Sequence, residues 1–243
     1  MLALALAATA AAMSAAGYQS MAATGQWYGK TFTGIRPGSK ESRSKPLALT
    51  YDDGPNDPHT LRLLEVLAKH NVKATFFLIG RYVEQRPGIV REVVNEGHVV
   101  GNHTFSHPNL VFASARQTRT QLQECQQAIT QAIGQHSPLF RPPFGGRRPG
   151  TLRIARSLGL APVMWNVSGQ DWKGYSADEI KQSIRRQLRG GDVILLHVGS
   201  HTGMGADRSQ TVIATDLLIP EAKSEGFEFV TIPEMMKTAA AHS

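Results

Sequence analysis

The feature that most restricts the fold is an alternation. Short apolar runs closed by turn signals take turns with amphipathic helical stretches about seven times between Leu47 and Ala241. Strands are expected over Leu47–Tyr51, Ala74–Ile79, His98–Gly101, Ala161–Asn166, Asp192–His197 and Phe227–Thr231, with a further apolar pair at Leu139-Phe140. Helical patterns fill the gaps: from Asp57 to Lys69, Tyr82–Asn95, Ser114–Ile133, Pro149–Leu158, Ala177–Leu188, Thr211–Ser224 and Pro233–Ala241. Strands separated by helices pair in parallel, because a parallel neighbour is reached only by a long crossover. The residues leave open whether such a sheet closes into a barrel or stays open and doubly wound. No glycine-rich phosphate fingerprint follows the first strand, so a nucleotide-binding fold has little support.

At 243 residues one domain is enough, and it is assigned to residues 46–243. Residues 1–24 are signal-like: Met1–Ala16 is almost all Leu and Ala, and small residues follow at Gly17 and Ala22-Ala-Thr24, although the usual Lys or Arg ahead of the apolar run is missing. This implies a secreted or cell-envelope protein. The apolar run is shorter than the ~20 residues a spanning helix needs, so no stable membrane span is expected. Residues 25–45 read as a surface linker tacked down by Trp27, Tyr28 and Phe32. A formal charge of +7, from 26 Lys and Arg against 19 Asp and Glu, suits anionic polymers or an acidic envelope surface. Nucleic acid is not expected as a partner: Arg185, Arg186 and Arg189 read as a solvated helix face, without clustered aromatics. Cys125 is the only cysteine, so no internal disulfide forms, and its neighbours suggest a half-buried structural thiol. His70 and His98 suit a helix end and a strand edge, while His201 and His242 receive no role.

The chemistry concentrates between Leu47 and Leu110. The first strand delivers Asp52 and Asp53 to a turn made by Gly54 and Pro55. Neighbours on an extended chain point to opposite faces, so the two carboxylates can serve different tasks in one site only if the backbone bends there. His103 and His107 are four apart, and a helical turn would put both imidazoles on one side. Two imidazoles and a carboxylate form a ligand set for Zn²⁺ or a similar ion with a position left open, and the spare carboxylate could act as general base.

Thr50-Tyr-Asp-Asp-Gly-Pro55 and His103-Thr-Phe-Ser-His-Pro108 resemble the first two motifs of the polysaccharide deacetylases, the NodB-homology family, carbohydrate esterase family 4. Three more stretches follow in family order. Leu139-Phe-Arg-Pro-Pro-Phe-Gly-Gly146 resembles the third motif, Val167-Ser-Gly-Gln-Asp-Trp172 the fourth, and Leu195-Leu-His197 the fifth. Two departures stand out: Ser168 and Val198 occupy positions where the family often carries Asp. The resemblance implies a distorted (β/α)₇ barrel with its site at the strand C-terminal ends. It also implies metal-dependent removal of N-acetyl groups from an amino-sugar polymer or oligomer, peptidoglycan or chitin-like. Asp53, His103 and His107 would hold the metal, Zn²⁺ by expectation, with Co²⁺, Ni²⁺ or Mn²⁺ as alternatives. Asp52 would be the base, braced by Arg141; the Phe144 N–H would bind the oxyanion; His197, oriented by Asp171, would protonate the leaving amine; Trp172 and Leu195 would house the acetyl methyl. The competing readings are an O-acetyl polysaccharide esterase of acetylxylan type and a carbohydrate-binding protein without turnover. Oligomeric state is not encoded in these motifs.

Overall fold

In the first strand, β1 (Lys45–Gly54), side chains alternate between two layers. Leu47, Leu49 and Tyr51 are fully buried and join an apolar cluster with Leu63, Leu64 and Leu67 of the following helix, His59–Lys69. Ala48 instead meets Phe77, Val163 and Val193 in a second cluster, completed by Ile232 and Met235 of the C-terminal helix. The period of two thus gives odd positions to the helix layer and even positions to the concave interior of the sheet. Thr50 and Asp52 are even.

These relations come from a computed structural model that describes residues 14–35 and 45–241. The rest of the signal-like stretch, residues 1–13, part of the linker, residues 36–44, and His242 lie outside the described residues. Strands β2 (Thr75–Leu78), β3 (Val99–Asn102), β4 (Leu139–Phe140), β5 (Ala161–Pro162), β6 (Val167–Ser168), β7 (Asp192–His197) and β8 (Phe227–Phe229) follow β1. They run in the order β5-β4-β3-β2-β1-β7-β6, with β8 on the first residues of β1 and every pairing parallel. The sheet is curled, as a distorted (β/α)₇ barrel requires, and not openly doubly wound. The N-terminal segment links the β5 end of the sheet to β7: Phe32 bridges Val163, just after β5, and Gly34 bridges Asp192. Phe32 does the tacking expected of it, whereas Trp27 is 65% exposed and does not.

Several elements differ from the sequence reading for identifiable reasons. The helix expected over Tyr82–Asn95 is two, Gly80–Gln85 and Pro87–Asn95, because Pro87 has no N–H to continue the first and is suited to open the second. The strand expected over Ala161–Asn166 shrinks to β5, and β6 begins only after its expected end. In between, the carbonyls of Val163 and Met164 are taken by the Arg141 side chain (3.4 and 3.0 Å) and cannot serve a strand ladder. The helix expected to reach Leu188 ends at Arg185, which pairs with Glu221 and Glu225 on the neighbouring helix, as a solvated basic face does. Cys125 is fully buried, not half-buried; its Sγ faces the Leu78 carbonyl at 3.5 Å, and burial pushes the thiol up to about 12, which leaves it inert. His70 Nε2 lies 2.6 Å from Asp216 Oδ1 at a helix end, and buried His98 accepts the Ala74 N–H.

Candidate metal and catalytic site

The five motifs leave the sheet at the C-terminal ends of their strands or in the turns that follow, the end where barrel enzymes collect their functional groups. At the end of β1, Asp52 points into the concave interior. Asp53 follows with φ at 67°, and the register against β2 shifts between Asp52 and Gly54. The bend expected at Gly54 and Pro55 therefore begins one residue earlier, at Asp53, and both carboxylates face one cavity. The histidine pair also comes together by a different route from the one expected. Residues 103–109 form a loop without a helical turn, with Thr104 and His107 left-handed at φ of 66° and 63°. The Thr104 hydroxyl accepts the His107 N–H at 3.1 Å, and the rings meet with centroids 4.9 Å apart.

Asp53 Oδ1 lies 3.5 Å from His103 Nε2 and 3.2 Å from His107 Nε2, and one donor atom from each of the three residues falls within 4.8 Å of the others. The set fits a divalent cation on three counts. Asp53 Oδ1 is buried with no hydrogen-bond partner. His103 Nδ1–H donates to the Arg141 carbonyl at 2.8 Å, which fixes the tautomer that leaves the Nε2 lone pair free. Finally, burial alone would raise Asp53, but the imidazoles of His103, His197 and His107 around it hold it below the usual carboxylate range. His107 is pushed down to about 3, chiefly by burial and then by His103, so it is a neutral donor.

Asp52 is held apart from this set. Its Oδ1 accepts from Arg141 Nη1 at 2.8 Å, and Oδ2 lies 3.7 Å from His103 Nε2. Arg141 is wholly buried and also donates to Thr50 Oγ1 at 2.8 Å, with its guanidinium 4.1 Å from the centre of the Phe77 ring. Across the pocket, the register of β1 and β7 places His197 beside Asp52. His197 Nδ1–H donates to Asp171 Oδ1 at 2.9 Å, while Asp171 Oδ2 accepts the His197 N–H at 2.7 Å and the Thr211 hydroxyl at 2.9 Å. Burial opposes charge on this imidazole, yet the charge and hydrogen bond of Asp171 more than offset it and raise His197 above the ordinary value.

Phe144 sits at φ 57° in a single 3₁₀ turn, Pro143–Gly145. Its neighbours Gly145 and Gly146 donate to Pro142 and Pro143, whereas the Phe144 N–H has no acceptor among the described residues. Trp172, half exposed, meets His197 edge-on at 5.2 Å, and buried Leu195 completes the wall. The cavity that all these residues share has a volume of about 490 Å³.

The polysaccharide deacetylase family model matches residues 39–163, about half of the chain. The chain belongs to the polysaccharide deacetylase family. Among its relatives is a peptidoglycan-N-acetylglucosamine deacetylase of Bacillus cereus, 40% identical over 193 residues that cover 79% of this chain and 69% of that one. A chitooligosaccharide deacetylase of Sinorhizobium fredii is 38% identical over 76% of this chain and 89% of its own length. The chain spans 40% of a peptidoglycan-N-acetylglucosamine deacetylase of Listeria monocytogenes, at 35% identity. A solved peptidoglycan N-acetylglucosamine deacetylase matches with a TM-score of 0.76 and 38% identity, over 84% of this chain and 91% of that chain.

In this polysaccharide deacetylase both departures from the motifs have settled surroundings. Val198 is buried in the helix-layer core and its carbonyl accepts from Asn56 at 2.9 Å. Ser168 accepts the Gln170 N–H at 3.2 Å, and Asp171 finds its partners without a second carboxylate. Motif reading missed Trp165, His201 and Arg208, which line the same cavity. His201, given no role from sequence, stacks on His107 with centroids 4.7 Å apart; its four-residue distance from His197 was the only available signal. Gly199 was missed as well. A Cβ there would lie 2.0 Å from the Asp53 carbonyl, which no small side-chain adjustment relieves. Gly199→Ala is therefore expected to displace Asp53, lowering stability by about 1–3 kcal/mol and weakening Zn²⁺ binding; thermal melting and calorimetric titration check the two effects.

Proposed function

We propose that this polysaccharide deacetylase hydrolyses N-acetyl groups on an amino-sugar polymer or oligomer of peptidoglycan or chitin type, using a divalent metal, with Zn²⁺ the expected ion. The observation that carries the reading is the convergence, in one cavity, of a three-donor set with an unpartnered buried oxygen and a second carboxylate clamped by a buried arginine. The names of the relatives from Bacillus cereus and Sinorhizobium fredii support the substrate class.

When bound by Asp53, His103 and His107, a divalent cation supplies Lewis-acid polarisation and lowers the pKa of a water. The chain's own residues do the rest. Asp52, aimed by Arg141, takes the proton of the attacking water. The Phe144 N–H donates to the oxyanion as the acetyl carbon becomes tetrahedral. His197 gives its proton to the departing amine, and Trp172 and Leu195 enclose the methyl group. A binding protein without turnover would have no need to clamp Asp52 on Arg141. We place the activity in the cell envelope or outside the cell, supported by the Leu- and Ala-rich start of the sequence.

The deciding experiment is acetate release from chitooligosaccharide, peptidoglycan and acetylxylan by metal-depleted and metal-restored protein. Release from the first two, restored by Zn²⁺, is expected; release from acetylxylan alone would transfer the chain to the O-acetyl esterases. The acid carries its own signature. His197 must be protonated to act, and its value is raised, so kcat/KM is expected to fall on the alkaline side only above the ordinary imidazole value of about 6.5. In Asp171→Asn the carboxylate charge is gone and burial remains, so the alkaline limb is expected to move to lower pH, as a pH–rate profile would show.

A further inference from the structure

Arg147 stands three residues after Phe144 and is buried to 1% exposure, with no carboxylate partner among the described residues. Its guanidinium donates instead to three backbone carbonyls: Gly145 at 2.8 Å in its own turn, and Ala22 at 2.7 Å and Gly25 at 2.5 Å in the N-terminal segment. Its backbone N–H donates to the Ser20 carbonyl at 2.9 Å. A buried cation satisfied by carbonyls alone depends on their staying in place, because an unanswered buried donor is costly.

The segment that offers these carbonyls is itself built. The Tyr28 hydroxyl donates to the Ala16 carbonyl at 2.8 Å, Gln26 and Thr31 exchange hydrogen bonds, and the Gly25 N–H donates to the Ala22 carbonyl. Ser20 and Thr31 are buried. The turn it holds carries strain at Phe144, left-handed at φ 57°, while Gly145 follows at φ 69°, which glycine adopts freely, beside the Met21 carbonyl. An aromatic residue keeps that conformation only where its surroundings over-determine it, and such strain gathers at functional sites.

We propose that residues 20–25 are a retained strap of the folded enzyme, and that Arg147, gripped by this strap, is the positioning residue that sets the Phe144 turn for oxyanion binding. The proposal rests on the deacetylase reading, which gives the Phe144 N–H its task. It also moves any processing of the chain ahead of Ser20. Cleavage at Ala23 or Thr24, where the small residues of the sequence suggest it, would remove the Ser20 and Ala22 carbonyls and leave Arg147 with unanswered donors.

The test uses the full chain with Zn²⁺ and compares wild type, Arg147→Met and Arg147→Lys. Acetate release from chitooligosaccharide gives kcat and KM, calorimetry gives Zn²⁺ affinity, and hydrogen exchange follows residues 142–148 against β1. In Arg147→Met, kcat is expected to fall about tenfold or more, as loss of a positioned donor allows, with KM and Zn²⁺ affinity unchanged. Exchange should rise in the turn and not in β1, and Arg147→Lys should recover part of the loss. Wild-type kcat in Arg147→Met, or exchange that rises equally in the turn and in β1, overturns the proposal. If Arg147→Met does not fold, the intact mass of the active wild-type chain decides: a first residue at or before Ser20 supports the strap, and a later one with full activity removes it. Failure of the deacetylase reading would show separately, as wild-type protein that releases no acetate, and the exchange comparison would then decide the strap alone.

Discussion

Asp52→Asn is expected to lower kcat for acetate release by about 10²–10⁴-fold, the usual contribution of a general base, while Zn²⁺ still binds. The two effects separate because adjacent carboxylates have been given different neighbours. Asp53 offers its unpartnered Oδ1 to His103 and His107, whereas Asp52 spends one oxygen on Arg141 and keeps the other toward the cavity. An asparagine retains an oxygen for Arg141 Nη1, so the clamp and the fold should survive with little change in melting temperature. What it lacks is a basic oxygen for the water. The check is paired: kcat from acetate release and Zn²⁺ affinity from calorimetry. Activity within about tenfold of wild type would remove Asp52 from the role of base, and loss of Zn²⁺ binding would mean that it belongs to the ligand set.

The largest expected effect on stability belongs to Arg141→Met. Arg141 is fully buried and answers Thr50, Asp52 and the carbonyls of Val163 and Met164, between the rings of Phe77 and Trp165. Methionine can refill the space against the rings, but it leaves a buried carboxylate without its cation. Removing one partner of a buried pair typically costs about 3–5 kcal/mol, which for a chain of this size corresponds to roughly 6–20 °C in melting temperature. The Asp52→Asn/Arg141→Met double variant should be more stable than Arg141→Met alone, since the stranded charge is gone. Thermal melting of the three variants tests this directly; equal stability of Arg141→Met and wild type would show that the ion pair is not what holds β1 to the turn after β4. Arg141→Lys should recover little, because one ammonium cannot reproduce the fork that reaches both the carboxylate and the Met164 carbonyl.

The residues that the structure brings together, Asp52, Asp53, His103, His107, Arg141, Asp171 and His197, were all legible in the sequence because each lies in a short stretch with a fixed relation to a strand end. The backbone that unites them was not. Asp53 at φ 67° looks like any aspartate before a glycine, and the His103/His107 spacing suggests a helical turn where the chain instead makes a loop with two left-handed residues. The strand after Leu160 was overestimated because its apolar pattern does not reveal that Arg141 claims its carbonyls. His201 and Arg208 reach the cavity from a loop, and loop positions carry no periodicity to mark them. The contact made by the N-terminal segment was hidden for a related reason. Small residues around Ala22 read as a processing site, and nothing local shows that Arg147, 125 positions away, hydrogen-bonds the carbonyl there.

The alternation along β1 has a further bearing on how reliably the enzyme assembles. Slipping this strand by a single residue would bring Tyr51 into the concave interior and drive Asp52 among the leucines of the helix layer, so greasy contacts on one face police the placement of reactive groups on the other. A misregistered chain would lose its core and its activity together, leaving no well-packed but inert form to accumulate.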